Sequence, residues 1–145
     1  MNADLHGSFL DATKNVFKLM LDIEASPTDE FACDNELDIA IGVTGDLTGE
    51  IVYRFPQNTS LNIVNIMAGM EVDSVDEFVT SAVSEIANII SGNVLMTLAD
   101  SHLNCDITPP ELRKAEVSTP DGEDFSVCIN TSAGAVCLDI RLKRA

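Results

Sequence analysis

Apolar residues recur at steps of three and four near the start of the chain. Phe9, Ala12, Val16, Met20 and Ile23 make one stripe on a helix over residues 5–23, which ends before Pro27. Past the polar stretch EASPTDEFACDNE the period changes to two. Leu37, Ile39, Ile41 and Val43 alternate with Asp38, Ala40 and Gly42, as in a half-buried strand. TGDLTG then supplies glycines for a turn, and EIVYRFP returns as a second strand closed by Pro56. Helical spacing reappears in LNIVNIMAGM, where Leu61, Ile63, Val64, Met67 and Ala68 fit a short helix that follows Ser60 and stops at Gly69.

Ser74, with Glu77 three residues on, makes a capping box, and good helix formers run without proline over residues 75–100. This is the longest helix. The next stretch, CDITPPELRKAEVSTPDGED, holds three of the five prolines and is expected to be extended strand and loop. FSVCINT and AVCLDIRL close the chain as a hairpin around Ser132, Ala133 and Gly134. For Phe125, Val127 and Ile129 to share a buried face with Val136, Leu138 and Ile140, paired residue numbers must sum to an odd value. A four-residue loop over 131–134 then sets Val127 against Leu138 and Cys128 against Cys137. The fold class is α+β: an antiparallel β-sheet with two long helices and one short helix packed against it, in a single domain over residues 1–145.

The long helix has two unlike sides. At about 100° per residue, Val79, Val83, Ile86, Ile90 and Val94 gather on one side, while Ser81, Glu85, Asn88 and Gly92 fall within about 60° of arc on the other. An amphipathic helix always has a solvated face, yet this one is unusual. It carries no lysine or arginine, so Glu85 lacks the i,i+4 partner that usually accompanies a surface glutamate. Asn88 and Gly92 are weak helix formers at exposed positions. An amide and a carboxylate one turn apart can meet charges on a docked macromolecule and hold a water between them, and a glycine beyond them lets another backbone come close. No nucleophile, base partner or phosphate-cradling loop accompanies the pair, so the pattern suits an active site completed by a second protein.

Composition narrows the partners. With 46% hydrophobic residues the chain can bury a sizeable core, and 24 acidic against 8 basic residues give a net charge of −16. That charge repels phosphate backbones and anionic lipid, so neither nucleic acid nor a membrane is expected as a partner, and it favours a protein with a basic rim. The first residues lack a basic region followed by an apolar one, and no unbroken apolar run of about 18 residues occurs, which predicts a cytoplasmic chain. Cys33, Cys105, Cys128 and Cys137 show no metal-binding spacing, and they are expected to remain thiols, with only His6 and His102 available as further ligands.

SAVSEIANIISGN, with Ser81 four residues before Glu85, Asn88 three after it and CDITPP some way downstream, resembles the signature of the CheX/CheC family of chemotaxis phosphatases, nearest its single-site CheX branch. The hairpin IGVTGDLTGEIVYRFP and the IMAGM segment are similar too, so the resemblance spans roughly residues 5–142. It implies removal of phosphate from the aspartyl phosphate of a CheY-like response regulator. In this family the glutamate, here Glu85, engages the regulator's active-site lysine, and the asparagine, here Asn88, orients the attacking water. Ser81 and Gly92 are the expected partner-binding positions. The resemblance further implies a homodimer, and a Mg2+ held by the regulator, with no cofactor on this chain. CheC proteins carry a second motif on the first helix. Here FLDATKNVF has Ala12 where a glutamate would precede Asn15 by three, which leaves one site per chain. The alternative is a non-enzymatic module on the same fold, binding a signalling or flagellar-switch partner without turnover; it would have no need of the Glu85 and Asn88 pair.

Overall fold

A computed structural model describes residues 2–28, 36–69, 76–100, 102–113 and 125–144. Three helices and seven strands form in these segments. Helix α1 (Asn2–Leu21) leads to strand β1 (Ala25–Pro27), and β2 (Glu36–Gly45) and β3 (Leu47–Pro56) make a hairpin. Helices α2 (Gln57–Ala68) and α3 (Glu77–Asp100) follow. The chain then runs through β4 (Cys105–Ile107) and β5 (Glu111–Arg113) to the hairpin of β6 (Phe125–Thr131) and β7 (Gly134–Arg144).

The strands build one antiparallel sheet in the order β1-β6-β7-β3-β2-β4, with β5 also pairing to β2. The two hairpins meet through β3 and β7, where Ile51 lies opposite Ile140. Alternation decides what faces the helices: Ile39, Ile41, Ile51, Tyr53, Val127, Ile129, Leu138 and Ile140 are all buried in one core with Phe9, Phe17, Val83, Ile86 and Ile90 from the helices. The α+β class and the single antiparallel sheet expected from the pattern are what forms.

The last hairpin has the expected odd-sum register, Val127 against Leu138 and Cys128 against Cys137. Phe125 pairs with Ile140 in the same register. The expectation of thiols is overturned, because Cys128 and Cys137 are joined as a disulfide with their Cα atoms 4.1 Å apart. Direct opposition across two antiparallel strands brings the Cβ atoms within bridging reach, so the register supplies the geometry that the bond requires. Cys105 carries a free thiol, and Cys33 lies outside the described residues.

Several boundaries shift for local reasons. Helix α2 begins at Gln57 rather than after Ser60: Pro56, at φ −55° and ψ 148°, is its N-cap, and the Ser60 hydroxyl donates back to the Pro56 carbonyl. Its end is as expected, with Gly69 in the left-handed region at φ 68° and donating to the Asn65 carbonyl. At the start of α3 the Asp76 carboxylate accepts from the Val79 N–H at 3.1 Å and acts as the cap; Ser74, proposed from the sequence for that role, lies outside the described residues. Of the TGDLTG glycines Gly45 serves the turn, whereas Gly49 sits inside β3 at φ 144°, where a Cβ would collide with the Arg141 carbonyl on β7. Strand β1 was not legible in the sequence. Its three residues, Pro27 among them, pair at the sheet edge with β6, a place where a missing N–H is tolerated.

Helix α3 has the length and composition of a bilayer span. Its apolar side, from Val79 through Val94 to Leu98, is spent on the protein core instead.

Candidate functional site

The side of α3 turned from the core carries the four residues singled out in the sequence. Ser81 and Glu85 are exposed, and Asn88 and Gly92 are half-buried. Their orientation follows from what lies behind them. Val83, Ile86, Ala87 and Ile90 are wholly buried, and the Ser91 hydroxyl is hydrogen-bonded to that of Tyr53 on β3 at 2.6 Å. Burial pushes the Tyr53 hydroxyl far above its ordinary pKa, so it stays protonated and the bond persists at any physiological pH. Packing and one buried polar contact together fix the rotation of α3 about its axis.

Ser81, Glu85 and Asn88 share a groove of about 350 Å3 with Thr80 and Ser84 from the same helix and with Pro110 and Leu112 from across a gap. Gly92 does not line it; it lies one turn further along, and a Cβ added there would meet nothing within 4 Å. Among the described residues, neither Glu85 nor Asn88 has a hydrogen-bond or ion-pair partner. A carboxylate and an amide held one turn apart with their polar atoms free can accept from a cation and orient a water for something brought to them.

The far wall of the groove arises from an edge strand interrupted by proline. After α3 the chain turns through His102 at φ 65° and runs back antiparallel to β2, first as β4 beside Val43–Gly45 and then as β5 beside Asp38–Ala40. Thr108 bridges the gap: its N–H donates to the Gly42 carbonyl at 2.9 Å, and its hydroxyl accepts from the Gly42 N–H at 2.9 Å. Pro109 and Pro110 cannot donate, so pairing lapses between the two short strands. Sequence reasoning placed this stretch in strand and loop but missed that it walls the site. Ser84, at 300° on the same helical count and next to Asn88, was the one groove residue that periodicity alone could have added.

Helix α1 offers no second copy of the pair. Asn15 is exposed, but Ala12 is only 5% exposed and belongs to the core, so a glutamate there would be a buried charge. Among the described residues no group of three or more His, Cys, Asp or Glu is placed to hold a metal ion.

An antiparallel sheet backed by long helices is the architecture shared with CheX and CheC-like proteins. The sequence profile described as chemotaxis phosphatase CheX matches residues 39–130, from β2 to β6, and the chain belongs to that family. It is 30% identical over 115 residues to the CheY-P phosphatase CheX of Thermotoga maritima, an alignment covering 69% of this chain and 74% of that one. In structure it is similar to the chemotaxis protein CheX of Vibrio vulnificus, with a TM-score of 0.85 at 24% identity over 99% of each chain. It is also similar to CheX in the CheX–CheY–BeF3–Mg2+ complex of Borrelia burgdorferi, with a TM-score of 0.77 at 24% identity over 95% of this chain and 97% of that one.

Proposed function

We propose that this chain hydrolyses the aspartyl phosphate of a CheY-like response regulator. The observation that carries this reading is the pair Glu85 and Asn88, without a partner among the described residues, on the outward face of α3 in a chain of the chemotaxis phosphatase CheX family. A purely binding module would have no use for an amide and a carboxylate poised together over an open groove.

Phosphoryl transfer asks for alignment and charge neutralisation more than for covalent chemistry. Asn88, neutral and able to donate and accept, holds a water in line with the phosphorus. The water oxygen bonds to phosphorus as the bond to the aspartyl oxygen breaks, giving the free aspartate and inorganic phosphate. Glu85 accepts from the regulator's lysine and anchors the complex, while Ser81 and Gly92 meet the partner on either side. Mg2+ belongs to the regulator, and this chain holds no cofactor. The working form is a cytoplasmic homodimer, which light scattering checks as twice the chain mass of 15.6 kDa.

The test is the acyl-phosphate lifetime of a CheY receiver domain from the same genome, charged with acetyl phosphate, with and without this protein. The reading requires a shortened lifetime. An unchanged lifetime alongside tight binding would favour the interaction module.

A further inference from the structure

Leu112 belongs to the side of the sheet where apolar residues are normally covered. In the β2–β5 register it pairs with Ile39, so both project toward the helices. Ile39 is fully buried, whereas Leu112 is 52% exposed. Helix α3 passes beside Leu112 without covering it, and the space between them is the groove that holds Glu85 and Asn88. Pro110 stands on the same wall, its backbone stiffened by its own ring.

We infer that Pro110 and Leu112 are a docking seat for an apolar side chain that the receiver domain presents beside its phosphoaspartate. The regulator is thus selected by an apolar contact next to the reacting group as well as by charge. This inference rests on the phosphatase reading above and adds the residues that set its specificity.

The chemistry of the groove argues for this occupant. One wall is aliphatic and rigid, the other is hydroxyls, a carboxylate and an amide, and among the described residues no lysine or arginine lines either. Its complement is a surface with an apolar residue next to a cation. A second copy of this chain is a poor match, since it brings a net charge of −16 to a groove that already holds a carboxylate. A seat of this kind also closes the rim of the site. Apolar contacts that exclude bulk water strengthen the charged contact they surround. Because Pro110 is already fixed, little ordering cost falls on the wall when the partner arrives.

The experiment uses the full chain and a CheY receiver from the same genome, activated with BeF3 and Mg2+ for binding or charged with acetyl phosphate for turnover. Leu112→Asp should raise both Kd and KM about tenfold or more, equivalent to about 1.4 kcal/mol, with the effect in KM rather than kcat. Leu112→Met should restore both constants. Thermal melting shows that the variants fold, and Leu112→Ser replaces Leu112→Asp if the latter does not. Wild-type constants in Leu112→Asp, or a loss confined to kcat, would overturn the seat while leaving the phosphatase reading in place. A change in the chain's own mass in solution with no change in Kd would make this wall a self-interface and overturn the seat as well. A wild-type chain that neither binds nor dephosphorylates the regulator would remove the phosphatase reading, and the seat with it.

Discussion

Among the described residues nothing requires Gly92 to be glycine. A Cβ there meets nothing within 4 Å, and its backbone lies in ordinary helix. Alanine should therefore stabilise the fold by about 0.8–1 kcal/mol, the usual helix-propensity difference. If close approach of a partner backbone is what glycine serves, the same Gly92→Ala variant should raise KM for the phosphorylated regulator while melting at a higher temperature. A variant that is more stable and equally active would free Gly92 of any partner role. The two central residues separate in a different way. If Asn88 places the water as proposed, Asn88→Ala should leave docking nearly intact and cut kcat steeply. Glu85→Ala should weaken binding by about 1.5–3 kcal/mol, the range for a hydrogen bond to a charged group, and lower the rate with it. Circular dichroism should find both variants folded, since their side chains stand outside the core and alanine favours the helix.

At the scale of elements, α3 joins stability to function by using its two sides for different ends. Its inner side fills the core beneath β2 and β3, and the Tyr53–Ser91 bond holds its rotation. Its outer side presents Ser81, Glu85 and Asn88 to the groove. The disulfide between β6 and β7 plays no part in that arrangement, because Cys128 and Cys137 alternate with the core residues Val127, Ile129, Val136 and Leu138 and so project from the opposite face of the sheet. With a sequence separation of only 9, the bond closes a short loop. Reduction should lower stability by at most about 2–3 kcal/mol, by the chain-entropy relation, and leave turnover untouched. Urea unfolding and phosphatase assays, each with and without reductant, check both halves. Activity lost on reduction would mean that the two faces of the sheet are coupled.

For the molecule as a whole, the net charge of −16 governs how a partner arrives. That charge, together with Glu85 in the groove, draws a partner with a basic rim. The association rate with a phosphorylated regulator should fall as salt rises from about 0.01 to 0.15 M, where the screening length shrinks from about 30 to 8 Å. Stopped-flow mixing measures this, and a salt-independent rate would show that contacts at short range dominate the encounter. The ion pairs on the sheet face opposite the helices, Arg54 with Asp139 at 2.6 Å and Arg141 with Glu50 at 3.1 Å, lie within the chain and screen less, being partly buried.

The sequence by itself determined the elements with a strong period. The alternation in β2 and β3, the stripe of α1 and the long apolar side of α3 were legible because a buried face must repeat at 2 or 3.6 residues wherever it lies in the fold. The register of β6 on β7 was legible too, since a slip of one residue would turn Val127, Ile129, Val136 and Leu138 away from the core. So was the outward position of Ser81, Glu85, Asn88 and Gly92 on α3, which follows from the same helical period. Only the tertiary structure decided the rest. Three-residue strands such as β1 and β5 are too short to show a period, and they exist because β6 and β2 offer them an edge. Cys128 was legible opposite Cys137, but the expectation of thiols rested on a cytoplasmic setting, and only the structure shows the two sulfurs joined. Pro110 and Leu112 lie more than twenty residues from Glu85 in the chain, and they meet it across a groove because the strand after α3 doubles back along β2.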